Sequence, residues 1–120
     1  MIQKFTDLRV WQLAHLLTIR MYKLTKKFPT KETFGLESQL RRSASSIGAN
    51  IAEGFSRDTK KDYMRFLYLS RGSLSETLNH LLLARDLGYI TDKQYSEFEN
   101  EYISLSKQLN SLISVIKKHS

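Results

Sequence analysis

The sequence contains no cysteine. Disulfides and thiolate metal sites are therefore excluded, and the redox compartment is left open. Proline occurs once, at Pro29, and there are only five glycines in 120 residues, so few positions are forced into turns. Apolar runs are short, reaching four residues at 81–84, whereas a membrane-spanning helix needs roughly 20. The opening MIQKFTDLRVW lacks the apolar stretch of a secretory signal, and a cytoplasmic location is expected. No Gly-rich phosphate loop and no sustained alternating strand pattern occurs. Acids are scarce at the start: residues 1–31 carry seven Lys or Arg against the single Asp7.

What is present suits a soluble globular protein. Hydrophobic residues make up 41% and charged residues 26%, an ordinary balance. The length fits one domain over residues 1–120, enough to bury a core without staples. The net charge is +7 and the pI about 9.7. That balance favours anionic partners, with nucleic acid ahead of a membrane surface.

Periodicity predicts an all-α chain of four helices, at about residues 7–27, 35–55, 59–87 and 91–118. Thr6 is the expected cap of the first, with Pro29 just beyond its end. Asp58 or Thr59 caps the third, and Gly88 stops it. Thr91 and Gln94 form a capping-box pattern for the fourth. In that helix Tyr95, Phe98, Tyr102, Leu105, Leu109, Leu112 and Ile116 alternate spacings of three and four, the seam of a shallow-angle bundle. Short connections make neighbours antiparallel, so an up-down-up-down four-helix bundle is expected.

Two helices carry unusual faces. Residues 43–54, SASSIGANIAEG, divide into a small stripe (Ser45, Gly48, Ala52), an apolar stripe (Leu40, Ile47, Ile51) and a polar stripe (Gln39, Arg42, Ser46, Asn50, Glu53) at 100° per residue. Arg42, Ser46, Asn50 and Glu53 are expected to bond across to Ser73 and Glu76 on the third helix, because an unpartnered buried polar group costs about 1–3 kcal/mol. The first helix has an apolar arc about 200° wide, roughly twice what a bundle needs. Val10, Leu13, Leu17 and Leu24 are therefore candidates for a self-association surface.

Basic residues form the candidate nucleic-acid contacts. Arg9, Arg20, Lys23 and Lys27 share the wet strip of the first helix, a row about 27 Å long. Arg57, Lys60, Lys61 and Arg65 cluster at the start of the third. Such rows neutralise phosphates in a salt-dependent way. Lys60 and Lys61 lie at a helix amino terminus, where the macrodipole disfavours cations, so helix stability does not explain them. Features of catalysis are thin. Glu76 and His80 come nearest to the Glu-x-x-His pair of di-iron bundles, one residue too far apart, and no metal or cofactor is expected.

Five patterns carry a family resemblance: F-x-D-L-x-V-W at residues 5–11, T-x-x-F-P at 25–29, G-L-x-x-Q-x-R-R at 35–42, S-I-x-x-N-I-A-E-G at 46–54 and G-S-L-x-E at 72–76. Together they resemble the four-helix bundle proteins known as 23S rRNA intervening-sequence proteins, over nearly the whole chain. One departure is Gly48, where many members have proline. The resemblance implies a bacterial protein with no established activity. A related branch accompanies the reverse transcriptase of diversity-generating retroelements, which implies a homopentamer with a basic surface and partners in nucleic acid and reverse transcriptase. The residues and the resemblance together lead to a non-enzymatic, oligomeric, RNA-binding module. The alternative is a protein-interaction scaffold with no nucleic-acid role.

Overall fold

The computed structural model describes residues 1–119. A 3₁₀ turn at Phe5–Asp7 precedes helix α1 (Arg9–Thr25), and a second at Thr30–Glu32 precedes α2 (Leu36–Phe55). Helices α3 (Lys60–Asp86) and α4 (Asp92–Lys118) complete the chain. No strand occurs among the described residues.

Local chemistry sets most of the helix ends. The Thr59 hydroxyl accepts from the Asp62 N–H, and Thr91 and Gln94 form a reciprocal capping box. Gly88 takes φ 80°, which lets the Tyr89 N–H reach the Ala84 carbonyl and the Gly88 N–H reach that of Arg85, both at 2.9 Å. This is a Schellman stop. The first helix departs from expectation. Thr6 is not its cap; α1 starts at Arg9 after an extended Leu8, with no side-chain cap. Asp7 instead closes the preceding turn, its carboxylate accepting the Gln3 and Lys4 N–H groups at 2.9 Å each. Those bonds hold its pKa below the usual carboxylate value. The helix also stops at Thr25, which leaves Lys27 in the following turn.

Pair contacts fix the topology. Tyr22 meets Arg41, Thr18 meets Ala44 and Trp11 meets Gly48, so α1 and α2 run in opposite directions. Thr77 meets Ser43, Ser70 meets Ile47 and Phe66 meets Gly54, so α3 reverses again. Arg85 meets Tyr95, Arg71 meets Asn110 and Lys60 meets Lys117, and α4 reverses once more. The result is an up-down-up-down bundle 47 × 24 × 21 Å across. Its long axis separates the end holding Lys27 and Tyr89 from the end holding Lys60 and Lys117.

Leu17, Met21, Leu40, Ile47, Ile51, Leu67, Leu81, Tyr102, Leu105 and Leu109 are completely buried. The α4 seam holds through Leu109, after which Ile113 rather than Leu112 turns inward. On α1 the core takes Val10, Ala14, Leu17, Met21 and Thr25. Val10 and Leu17 therefore pack within the protein's own core and are not available to a second copy. Leu13 and Leu24 are half-buried, and the large apolar side chains left exposed on α1 are Leu16, Ile19 and Tyr22.

Helix α2 is the packing hub: its expected apolar stripe, Leu40, Ile47 and Ile51, is buried, but its expected small stripe is not buried as a unit. Ser45 is exposed, whereas Ser43, Ala44, Ile47, Gly48, Ile51 and Gly54 are buried. A Cβ on Gly54 would sit 2.9 Å from Phe66 Cβ and 3.2 Å from the Tyr63 carbonyl oxygen. Glycine there is what lets α2 and α3 converge at the turn between them.

Candidate nucleic-acid interface

The expected basic residues form two groups, near opposite ends of the bundle. Arg20, Lys23 and Lys27 line one shallow depression between α1 and α4, together with Gln94, Glu97 and Phe98. Arg20 is only partly exposed, and its guanidinium lies 5.4 Å from the Phe98 ring centroid. It helps cover the core there, and Glu97 offsets part of the positive charge. Arg9 is not part of this group. It lies at the mouth of a groove between α1 and α4, lined by Leu13, Leu16, Gln108 and Leu112, of about 750 Å³.

The second group is denser. Lys60, Lys61 and Arg65 line an open cleft of about 690 Å³ with Met64, Tyr68, Leu69 and Lys117. Arg57 is adjacent, since it and Arg65 both stack on Phe66, at 4.6 and 4.4 Å. Two of these cations have carboxylate neighbours: Arg57 with Glu53 at 3.0 Å and Arg65 with Asp62 at 3.9 Å. Both pairs are solvent-exposed, so the neutralisation is weak. Among the described residues that line the cleft itself, none is an Asp or Glu. The Lys60 ammonium donates to the Lys117 carbonyl oxygen at 3.1 Å. It thus serves the carboxyl end of α4, where the macrodipole favours a cation. This corrects the view that helix stability has no use for Lys60.

Two members of this cleft, Tyr68 and Lys117, are not among the expected contacts, and Lys117 escapes any reading helix by helix. Antiparallel pairing of the last two helices is the signal that brings residue 117 beside residue 60. Spacing on the third helix also places Tyr68 one turn beyond Met64 and Arg65.

The expected polar contacts between α2 and α3 are only partly made. Arg42 and Glu76 pair across the two helices. His80 Nε2 lies 3.4 Å from the same carboxylate. Burial works against the charge on Glu76, but hydrogen bonds from Arg42 and His80 keep its carboxyl below the usual value. Ser46, Asn50 and Glu53 do not cross to α3. The Ser46 hydroxyl donates to the Arg42 carbonyl at 2.7 Å, the Asn50 amide donates to the Ser46 carbonyl at 2.8 Å, and Glu53 pairs with Arg57. Ser73 contributes its carbonyl to the Thr77 hydroxyl within α3. Other residues make the buried and partly buried inter-helix bonds. Thr77 and Ser43 hydroxyls meet at 2.9 Å, the Ser70 hydroxyl donates to the Ile47 carbonyl at 2.8 Å, and Thr18 reaches the Ala44 carbonyl at 3.1 Å.

No group of three or more His, Asp or Glu side chains that could hold a metal occurs among the described residues. None of the helices described is long and apolar enough to cross a membrane.

The family model described as 23S rRNA-intervening sequence protein matches residues 6–111. The chain belongs to this family. A crystal structure of a protein of unknown function from the S23 ribosomal protein family of Bacteroides thetaiotaomicron is also similar. It is 29% identical, with a TM-score of 0.81 over 88% of this chain and 95% of that one. No curated protein matches. Within the S-I-x-x-N-I-A-E-G run, Ile47, Gly48, Ile51 and Gly54 are the buried positions. The Gly35 position of G-L-x-x-Q-x-R-R is the N-cap of α2.

Proposed function

We propose that this protein is a non-enzymatic, oligomeric bundle that binds nucleic acid, with structured RNA as its target, in the bacterial cytoplasm. The observation that supports this reading is the cleft where Lys61, Arg65 and Lys117 converge beside Lys60. Exposed cations gathered in one cleft attract phosphate and release its counterions. The depression around Lys23 and Lys27 is a second, weaker phosphate contact, tempered by Glu97.

Self-association uses the α1/α4 groove. Leu13 and Leu112 are half-buried there and Leu16 is 50% exposed. The family resemblance favours a pentamer. Light scattering should give a multimeric mass, and Leu16→Asp should reduce it to that of the monomer. A monomeric wild type would remove the oligomer from this reading.

The binding test is a salt titration with a structured RNA. Neutralising about four phosphates gives a log–log slope of roughly −3 to −4. Lys61→Glu combined with Arg65→Glu should lower affinity at least tenfold, as an order of magnitude, with the helical signal retained. Arg20 is left unchanged because it also packs on Phe98. Wild-type protein that binds no nucleic acid at low salt would leave the scaffold reading in its place. That second reading rests on the exposed Leu82, Leu83 and Leu87 near the end of α3.

A further inference from the structure

The cleft between the start of α3 and the end of α4 has an aromatic floor as well as a basic rim. Tyr68 is 38% exposed and Leu69 48% exposed. The Arg71 guanidinium lies 4.8 Å from the Tyr68 ring centroid, and the Lys117 ammonium lies 5.7 Å from it. Lys117 is near the outer limit of a cation–π contact. Arg71 also donates to Asn110 on α4 at 3.2 Å, so its guanidinium is held on one side. Lys117 rests on the ring more loosely.

We propose that this cleft binds unpaired nucleotides: a base stacks on Tyr68 while Lys61, Arg65 and Lys117 hold the flanking phosphates. The inference rests on the nucleic-acid reading above and narrows it to single-stranded segments. Three features converge. An exposed aromatic ring on a helix surface offers a π-face to a base of any sequence. The charged groups that line the cleft among the described residues are cations, which match a phosphate backbone and would repel a basic peptide. The apolar floor of Met64 and Leu69 excludes water beneath a flat base, whereas a paired duplex presents no free base face to the ring. Lys117 moves from ring to phosphate when the base arrives. The exchange replaces a loose cation–π contact with stacking plus a charge-assisted bond.

The test uses the full-length protein and fluorescence anisotropy with short labelled oligouridylate, oligothymidylate and a duplex of equal length. Wild type should bind the single strands more tightly than the duplex. Tyr68→Leu should weaken single-strand binding about tenfold without changing the salt slope, and Tyr68→Trp should retain it. Lys117→Gln should instead make the slope shallower by about 0.7. Tyr68 is exposed, so unchanged thermal melts will accompany these effects. Equal affinity for uridylate and thymidylate supports a site that reads ring and phosphate alone. A preference for uridylate supports the site with an added 2′-hydroxyl contact. If wild type binds single strands and Tyr68→Leu matches it, the stacking site is overturned while the nucleic-acid reading stands. Preference for the duplex overturns it in the same way. Binding to none of the three overturns both. Equal competition by polyglutamate overturns it in favour of an acidic protein partner.

Discussion

The Tyr89 hydroxyl donates to Glu32 Oε2 at 2.8 Å, across 57 positions of sequence. The other carboxylate oxygen accepts the Leu36 N–H at 3.0 Å, in the first turn of α2. One side chain thus caps a helix and ties the α1–α2 connection to the α3–α4 connection. Phe28 packs on Tyr89 in the same corner, ring centroids 5.4 Å apart.

These bonds give the corner a pH dependence. The Leu36 N–H and then the Tyr89 hydroxyl hold the Glu32 carboxyl below its ordinary value of 4.5. A lowered folded-state value means the unfolded chain binds the proton first as pH falls. The stabilisation is complete above pH 4.5 and is lost as pH drops through the lowered value. Glu32→Gln should melt at a lower temperature than wild type at neutral pH. The gap should close progressively in acid. A gap that is constant with pH would show that the charge on Glu32 contributes nothing.

Thr77 and Ser43 are fully buried between α3 and α2. Thr77→Val should cost about 1–3 kcal/mol, because it strips the Ser43 hydroxyl of its best partner. Adding Ser43→Ala should cost less than the sum of the two single changes. Chemical denaturation of the three variants measures the coupling.

Replacing Arg42 or Glu76 by Ala should have a small effect, at most about 1 kcal/mol. The pair is formed by side chains 51% and 37% exposed, where solvent screens the attraction. A larger loss in denaturant titration would mean that these residues hold α2 and α3 in register after all.

The glycines should separate by what surrounds them. Gly54→Ala should destabilise by about 1–3 kcal/mol through overpacking against Phe66 and Tyr63. Gly72→Ala faces open space, and the nearest contact of a Cβ at Gly48 is 3.5 Å, to Trp11 Nε1. Both should stabilise by about 0.5–1 kcal/mol, the helical cost of glycine. Thermal melts that rank the three otherwise would contradict the packing described.

The four helices, their order, the Thr91 cap and the Gly88 stop were legible in the sequence, and the cap of α3 was narrowed to Asp58 or Thr59, of which Thr59 serves. Each depends on interactions within a few residues, and the apolar period of α4 survives in any bundle. The candidate site was legible in part. Lys60, Lys61 and Arg65 announce themselves as a local run. Glu53, Ser46 and Asn50 misled because a polar stripe looks the same whether it bonds to a neighbour or back to its own helix. The wide arc of α1 misled for a related reason. Periodicity gives an angular width, but not how much of it three neighbouring helices will cover, and Val10 and Leu17 are covered.

The sequence by itself determined the elements and the excess of positive charge, because propensity, capping and composition act locally or as sums. Only the tertiary structure decided that the start of α3 meets the end of α4. That meeting sets Lys117 beside Lys60 and Tyr68 and turns a local basic run into a cleft with an aromatic floor. It also decided that Ser43, Ser70 and Thr77, rather than the more polar residues beside them, make the buried bonds. Which side chains face one another across two helices depends on crossing geometry and close packing, and those are properties of the assembled bundle.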